Sequence, residues 1–262
     1  MSAYLIAVSH PVSGESPQDL IAYCARVSNP ANQENYDTAE KLLTYCIRNK
    51  HWSPFEMVSV TFEINTTRDI ARQILRHRSF SFQEFSQRYA DPSQLGFTVR
   101  EARLQDTKNR QNSIETSDEE LKKTWNAKQE QIIHECKLAY KWALENGVAK
   151  EQARSVLPEG CTNSRLYMSG TLRSWIHYCQ LRTANGTQKE HIEVAKEIWE
   201  ILVVEFPFLA SIEKVTLNEL LASHIATELE IEARQTEITP VTDTFTRRYN
   251  LVDKFLSMIR KK

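Results

Sequence analysis

Arg76, His77 and Arg78 stand side by side in the stretch ILRHRSFSFQEFSQRY, and Glu84, Ser86 and Arg88 follow within the next ten residues. Arg76, Arg78 and Arg88 supply planar guanidinium forks suited to phosphate oxygens, which such forks bind through paired hydrogen bonds. Ser86 adds a hydroxyl donor, and Phe80, Phe82 and Phe85 can anchor the intervening loop by burying their rings. Upstream, Arg68, Arg72 and Arg76 recur every four residues, so they stack along one helix face, where like charges repel. Acids such as Asp69 and nearby glutamates could neutralise that stripe as ordinary surface charge; an anionic ligand could do the same. Spacing alone leaves both open. Gln73, one turn before His77, could hydrogen-bond a ligand or cap the local backbone. Glu84 could pair with the arginines, hold a ribose hydroxyl, or fix the arginine geometry. No Walker loop and no G-x-G-x-x-G is present, so triphosphate and Rossmann readings lose support.

A second polar set lies in GTLRSWIHYCQLRTANGTQKE, where Arg173 and His177 share a helix face and Arg182 arrives at the helix end. A basic residue there also suits the helix dipole. His177 alone would read as a structural hydrogen-bonder. With Arg154 in QARSVLP, these residues give two separated arginine-rich regions and no metal-ligand spacing. The five cysteines (Cys24, Cys46, Cys136, Cys161, Cys179) are odd in number and widely spaced, which fits reduced, buried, inert thiols.

The elements that must position these groups are legible in part. Val58, Val60, Phe62 and Ile64 alternate with polar residues and predict a strand. It ends at Thr66-Thr67, residue types suited to cap a helix from Arg68 whose apolar face is Ile70, Ala71, Ile74 and Leu75. A long helix follows in SDEELKKTWNAKQEQIIHECKLAYKWALENG, with Ser117 and Glu120 as a capping box and Gly147 as its stop. A short segment carrying Arg154 ends at Pro158. A helix from near Ser169 to Leu181 is expected to turn Leu172, Trp175, Ile176 and Cys179 inward. Another occupies QKEHIEVAKEIWEILVVEF until Pro207, a further one starts at Thr216-x-x-Glu219, and an appended C-terminal helix is expected from about 241. Helix dominates and strands are few, so one mixed α/β (α+β) domain over 1–262 is expected.

Composition bounds the function. Apolar content of 41% and charged content of 26% are ordinary for a globular protein, and a net charge of -1 gives no global basic field for nucleic acid. No apolar run approaches the roughly 20 residues a membrane helix needs. The N-terminal MSAYLIAVSHPVSG lacks a signal-peptide pattern, so no membrane association and a cytoplasmic location are expected.

The segment RHRSFSFQEFS fits R-H-R followed by seven residues and serine, and so resembles the signature of the flavin-dependent thymidylate synthases. Three further segments resemble the same family in the same order: ARVS at Ala25–Ser28, HWSPFE at His51–Glu56, and ARSVLP followed by LRSWIHYCQLRTANGTQKE. The resemblance covers roughly Ala22 to Glu190. It implies a helix-rich fold with a small, mostly antiparallel sheet flanked by long helices, assembled as a homotetramer with active sites shared between subunits. It also implies methylation of dUMP to dTMP, with FAD as cofactor and NADPH and 5,10-methylenetetrahydrofolate as co-substrates. By position, Ser53, Arg76, His77, Arg78, Glu84, Thr171, Arg173 and His177 would meet the flavin. Gln73, Arg76, Glu84, Ser86, Gln87, Arg88, Arg154 and Arg182 would hold dUMP, with Arg182 as the catalytic group beside the uracil ring. A fixed guanidinium there would stabilise negative charge developing on the ring, and no cysteine nucleophile is required.

This sequence departs from the family pattern at Met57, where a histidine is frequent, and at Thr171, where asparagine is common. Two other readings compete. One is a non-catalytic nucleotide- or flavin-binding paralogue on the same fold. The other is a nucleic-acid binder using the Arg68–Arg72–Arg76 face with Phe80 and Phe82, which the near-neutral charge disfavours.

Overall fold

Alternation carries the central strand: Val60, Phe62 and Ile64 fall on one side of Ser59–Thr67 and are fully buried. The computed structural model describes residues 1–212, of which Met1–Ala210 form one compact unit. In chain order it comprises β1 (Ser2–Val8), α1 (Pro17–Ala25), α2 (Ala39–Arg48), β2 (Ser59–Thr67), α3 (Arg68–Ile74), β3 (Ser81–Glu84), β4 (Arg103–Gln105) and β5 (Ser113–Glu115). There follow α4 (Glu119–Glu145), α5 (Lys150–Ala153), β6 (Asn163–Thr171), α6 (Leu172–Arg182) and α7 (Lys189–Glu205). The main sheet has the order β1-β2-β6-β3 and is antiparallel throughout, while β4 and β5 pair separately. A small antiparallel sheet in a helix-rich chain is the architecture expected. The helix expected from Thr216 and the appended helix from about 241 lie outside the described residues.

The β2–β6 register sets the site. Ser59 pairs with Thr171 and Thr67 with Asn163, so the two antiparallel strands finish at opposite ends of the sheet. Each strand runs without a loop into a helix, β2 into α3 and β6 into α6. The polypeptide therefore launches α3 and α6 from opposite ends of one strand pair, and their C-terminal ends come together. Trp175 of α6 locks that helix to the sheet: its ring meets Phe62 at 4.8 Å and its indole N–H donates to Val60 O at 3.0 Å. Burying a side chain of this size contributes roughly 2–3 kcal/mol, and the satisfied N–H removes the usual cost of a buried donor.

Several boundaries differ from the sequence reading. Ser169–Thr171 belong to β6, and the helix begins only at Leu172. Ser164, Leu166 and Met168 are buried while Arg165 and Tyr167 are exposed, a period of two, and pairing with β2 carries the strand on to Thr171. The Thr171 side chain then accepts from Ser174 N as the N-cap. The segment after Arg78 is not all loop, because Ser81–Glu84 pair with β6 as its outer strand. Gly170 makes that approach possible. A Cβ there would lie 2.4 Å from the Phe80 ring. The α4 cap is Asp118, whose carboxylate accepts from Leu121 N at 2.9 Å, in place of the expected Ser117 box. Gly147, with φ of +76°, ends α4 as expected. All five cysteines are free; Cys46 and Cys179 are buried and the others partly so.

Candidate functional site

The turn after α3 meets the C-terminal end of α6 at a hydrogen bond: Arg182 Nε donates to His77 Nε2 at 2.8 Å. His77 must be bare at Nε2 to accept it. Burial, and then the neighbouring Arg182 charge, lower the His77 pKa to about 4, so the imidazole is neutral near pH 7. The bond occupies only the Arg182 Nε–H, and the terminal guanidinium nitrogens keep their donors for another partner.

Behind His77 lies a polar line inside the core. The His77 ring meets Tyr178 edge-on at 4.8 Å. Tyr178 Oη is 3.0 Å from His191 Nε2, His191 Nδ1 is 3.3 Å from Gln73 Oε1, and Gln73 Nε2 donates to Gln188 Oε1 at 2.8 Å. Burial first, then the Arg182 charge and His77, lower the His191 pKa to about 3. Burial likewise pushes the Tyr178 phenol up. Gln73, His77 and Arg182, chosen from the sequence, are thus gathered in one place.

The arginine stripe divides. Arg68 is buried, its Nε donating to Glu159 at 3.1 Å with Glu84 at 3.7 Å from Nη1. Arg72 pairs with Glu84 at 3.1 Å, and Ser164 Oγ donates to Glu84 at 2.8 Å. Glu84 therefore fixes arginine geometry, one of the roles left open. Arg76 and Arg78 are exposed, and neither is ion-paired with a described residue.

Two further groups stand apart from Arg182. In the first, Arg88 Nη2 lies 3.4 Å from Glu151, and Arg154 Nε donates to the Glu151 carbonyl at 3.3 Å. Ser86 Oγ accepts from Arg88 N at 3.4 Å, and Gln87 is buried with no acceptor for its Nε2 among the described residues. In the second, Arg173 pairs with Glu56, while His177 packs edge-on against Trp52 at 4.6 Å. Ser53 opens the short 3-10 turn Ser53–Glu56 beside them, and Thr171 caps α6. Burial, with the Arg173 charge second, lowers the His177 pKa. Among the described residues no direct hydrogen bond or ion pair joins the Arg88–Arg154 group to Arg182.

Three cavities lie away from Arg182 and the Arg88–Arg154 group; the largest of the three, about 680 Å³, is lined by His10, Val12, Tyr23 and Tyr36, and one reaches the polar line through Gln188. One of about 310 Å³ is lined by Asn65, Thr66, Thr98 and Arg165, and another of about 300 Å³ is lined by Arg103, Asn112 and Gln188. No cluster of candidate metal ligands occurs among the described residues, and no helix there is long and apolar enough to cross a membrane. Burial raises the pKa of every cysteine, most strongly at Cys179, which removes thiolate character.

Sequence reasoning missed Tyr178, Gln188 and His191. A signal existed for His191: it holds an apolar position of α7, in line with buried Val194, Ala195, Ile198 and Leu202. Tyr178 precedes Arg182 by four residues and so shares its helix face.

The family model described as "Thymidylate synthase complementing protein" matches residues 9–208. The chain is 53% identical over 212 residues to "Probable flavin-dependent thymidylate synthase" of Paramecium bursaria Chlorella virus 1, covering 80% of this chain and 97% of that protein. It is 51% identical over 216 residues to the flavin-dependent thymidylate synthase of Synechocystis, covering 80% and 98%. The solved structure of the UMP/dUMP methylase PolB from Streptomyces cacaoi, bound with 5-Br dUMP, superposes with a TM-score of 0.67. It is 27% identical and covers 79% of this chain and 91% of that one.

Proposed function

The chain belongs to the thymidylate synthase complementing protein family, and from that premise we propose that it methylates dUMP to dTMP as a flavin-dependent thymidylate synthase. The finer reading is FAD as the flavin, 5,10-methylenetetrahydrofolate as carbon donor, NADPH as reductant, and a cytoplasmic homotetramer with shared active sites. When bound, the flavin carries the electrons that reduce the transferred carbon to a methyl group.

The donor set suits such ligands. Arg76 and Arg78 are exposed guanidinia without acidic partners among the described residues, and Gln87 Nε2 is a buried donor without an acceptor among them. These are groups that a pyrophosphate and a nucleotide monophosphate, both rich in anionic oxygens, would satisfy. On this reading Arg76, His77, Arg78, Glu84, Ser53, Thr171, Arg173 and His177 hold the flavin. Gln73, Arg76, Glu84, Ser86, Gln87, Arg88 and Arg154 hold dUMP. Met57 in place of a histidine leaves one fewer polar contact beside Ser53.

The observation that carries the reading is the Arg182–His77 bond. A neutral imidazole fixes the guanidinium without neutralising it, so Arg182 keeps its full positive charge for the uracil ring. A preorganised charge at that point stabilises negative charge as it develops, without reorganisation at the moment of reaction. Buried Cys179 and partly buried Cys161, with raised thiol pKa values, fit a reaction that uses no thiolate.

The test is the visible absorption spectrum of purified protein loaded with FAD and desalted, recorded with and without dUMP. A retained flavin band that shifts on adding dUMP is expected, because both ligands share one site. A folded protein that retains no flavin, or a band indifferent to dUMP, would contradict the proposal.

A further inference from the structure

The line Tyr178–His191–Gln73–Gln188 has a direction. Gln73 Nε2 donates to Gln188, so Gln73 Oε1 faces His191 Nδ1 and needs a donor there. The proton of His191 therefore sits on Nδ1, and bare Nε2 accepts the Tyr178 hydroxyl proton. His191 is fully buried and Tyr178 nearly so, at 0% and 1% exposure, so neither finds water as an alternative partner. Gln188 turns its own N–H group to the Glu190 carboxylate, which keeps Gln188 Oε1 for Gln73, so each proton on the line has one place.

Stability alone does not account for this pair. Its neighbours on α7 are Val194, Ala195, Ile198 and Leu202, all buried and apolar. Replacing both members of a buried hydrogen-bonded pair by apolar groups of similar shape is often close to neutral. The pair does supply something an apolar core cannot. The two ends of a glutamine amide are nearly equal in shape, so packing cannot choose between them and only polar partners can.

We propose that His191 and Tyr178 are positioning residues for the nucleotide: they lock the Gln73 amide in one orientation, so that its uncommitted N–H is always offered from the same place. This deepens the proposed function and rests on its assignment of Gln73 to dUMP. One N–H of Gln73 goes to Gln188 and one lone pair of Oε1 goes to His191, which leaves one donor and one acceptor free. The phosphate oxygens and ring carbonyls of dUMP are acceptors. A flipped amide would exchange the free N–H and the free lone pair, turning oxygen toward oxygen. The line also passes beside His77, whose ring packs on Tyr178, so one buried assembly supports both Gln73 and the Arg182 anchor.

Equilibrium dialysis with labelled dUMP tests the proposal as a double-mutant cycle. The pair Tyr178→Phe/His191→Leu is introduced into the natural sequence and into a Gln73→Ala background, with thermal midpoints recorded alongside. In the natural background the pair is expected to weaken dUMP binding about tenfold, the scale of one misdirected hydrogen bond, with little change in midpoint. In the Gln73→Ala background the same pair is expected to change binding no further. Tyr178→Phe alone, which removes a single oxygen, should follow the same pattern if the double change impairs folding. Equal losses in both backgrounds, or no loss in either, would overturn the lock. Unsubstituted protein that binds no dUMP would instead remove the proposed function and the lock with it.

Discussion

Arg182 owes its geometry to a neighbour that cannot compete with it for charge. His77 accepts the Nε–H while neutral. Arg182→Ala is therefore expected to leave folding and flavin retention close to unaltered and to lower dTMP formation by about 10²–10³-fold, the range for removing one preorganised donor. Turnover measured beside thermal midpoint checks this, and near-normal turnover would remove the catalytic role. The two buried histidines also predict the acid limit. In the unfolded chain each takes a proton below about pH 6.5; in the fold His77 resists to about 4 and His191 to about 3. Across that window the unfolded state binds more protons, so stability falls as pH falls from about 6.5 toward 4. The groups facing His191 are Tyr178, Arg182 and His77. His191→Leu should make the decline shallower in thermal melts, and an unchanged slope would contradict the assignment. At this scale His77 and Arg182 were legible because R-H-R and the second arginine region carry charge in a pattern. His191 was hidden because a single polar residue inside an apolar period reads as noise.

Two strand-to-helix junctions make the site, and only one was read correctly. β2 into α3 was visible because polar and apolar residues alternate cleanly up to Thr67. β6 was concealed by Ser164, Ser169 and Gly170, residue types that favour loops and caps over strands. Its buried face is Ser164, Leu166 and Met168, too weak an apolar signal to outvote the helix that follows. Gly170 is required by contact, since a Cβ would meet the Phe80 ring at 2.4 Å, and an aromatic ring packed against Trp175 at 4.7 Å cannot swing aside. Gly170→Ala is expected to cost about 1–3 kcal/mol, seen as a fall in denaturation midpoint. Adding Phe80→Leu should recover part of that loss, and an alanine variant as stable as the parent would contradict the packing. At α4, Asp118→Ala should cost about 1 kcal/mol and Ser117→Ala much less, since only Asp118 caps the helix. Equal effects would restore the Ser117 box.

At the scale of the molecule, the residues proposed to hold one nucleotide fall into groups, and among the described residues no direct bond joins Arg88–Arg154 to Arg182. Sites completed by a second subunit would reunite them, as the family reading implies. If so, mixing inactive Arg154→Ala with inactive Arg182→Ala subunits under exchange should restore part of the activity, because some sites receive both intact arginines. No recovery despite proven exchange would favour sites built within one chain. The family was legible from short motifs, since function here depends on a few charged residues at fixed spacing. Assembly was not legible in the same way, because exposed residues such as Tyr4, Ile6 and Trp142 carry no mark of a partner. The most direct measurement is dTMP formation from dUMP by the purified, FAD-loaded chain with 5,10-methylenetetrahydrofolate and NADPH, each component omitted in turn. Product that appears only with the complete mixture, and that Arg182→Ala nearly abolishes, is the predicted result. Folded, flavin-bearing protein that makes no dTMP would contradict the account.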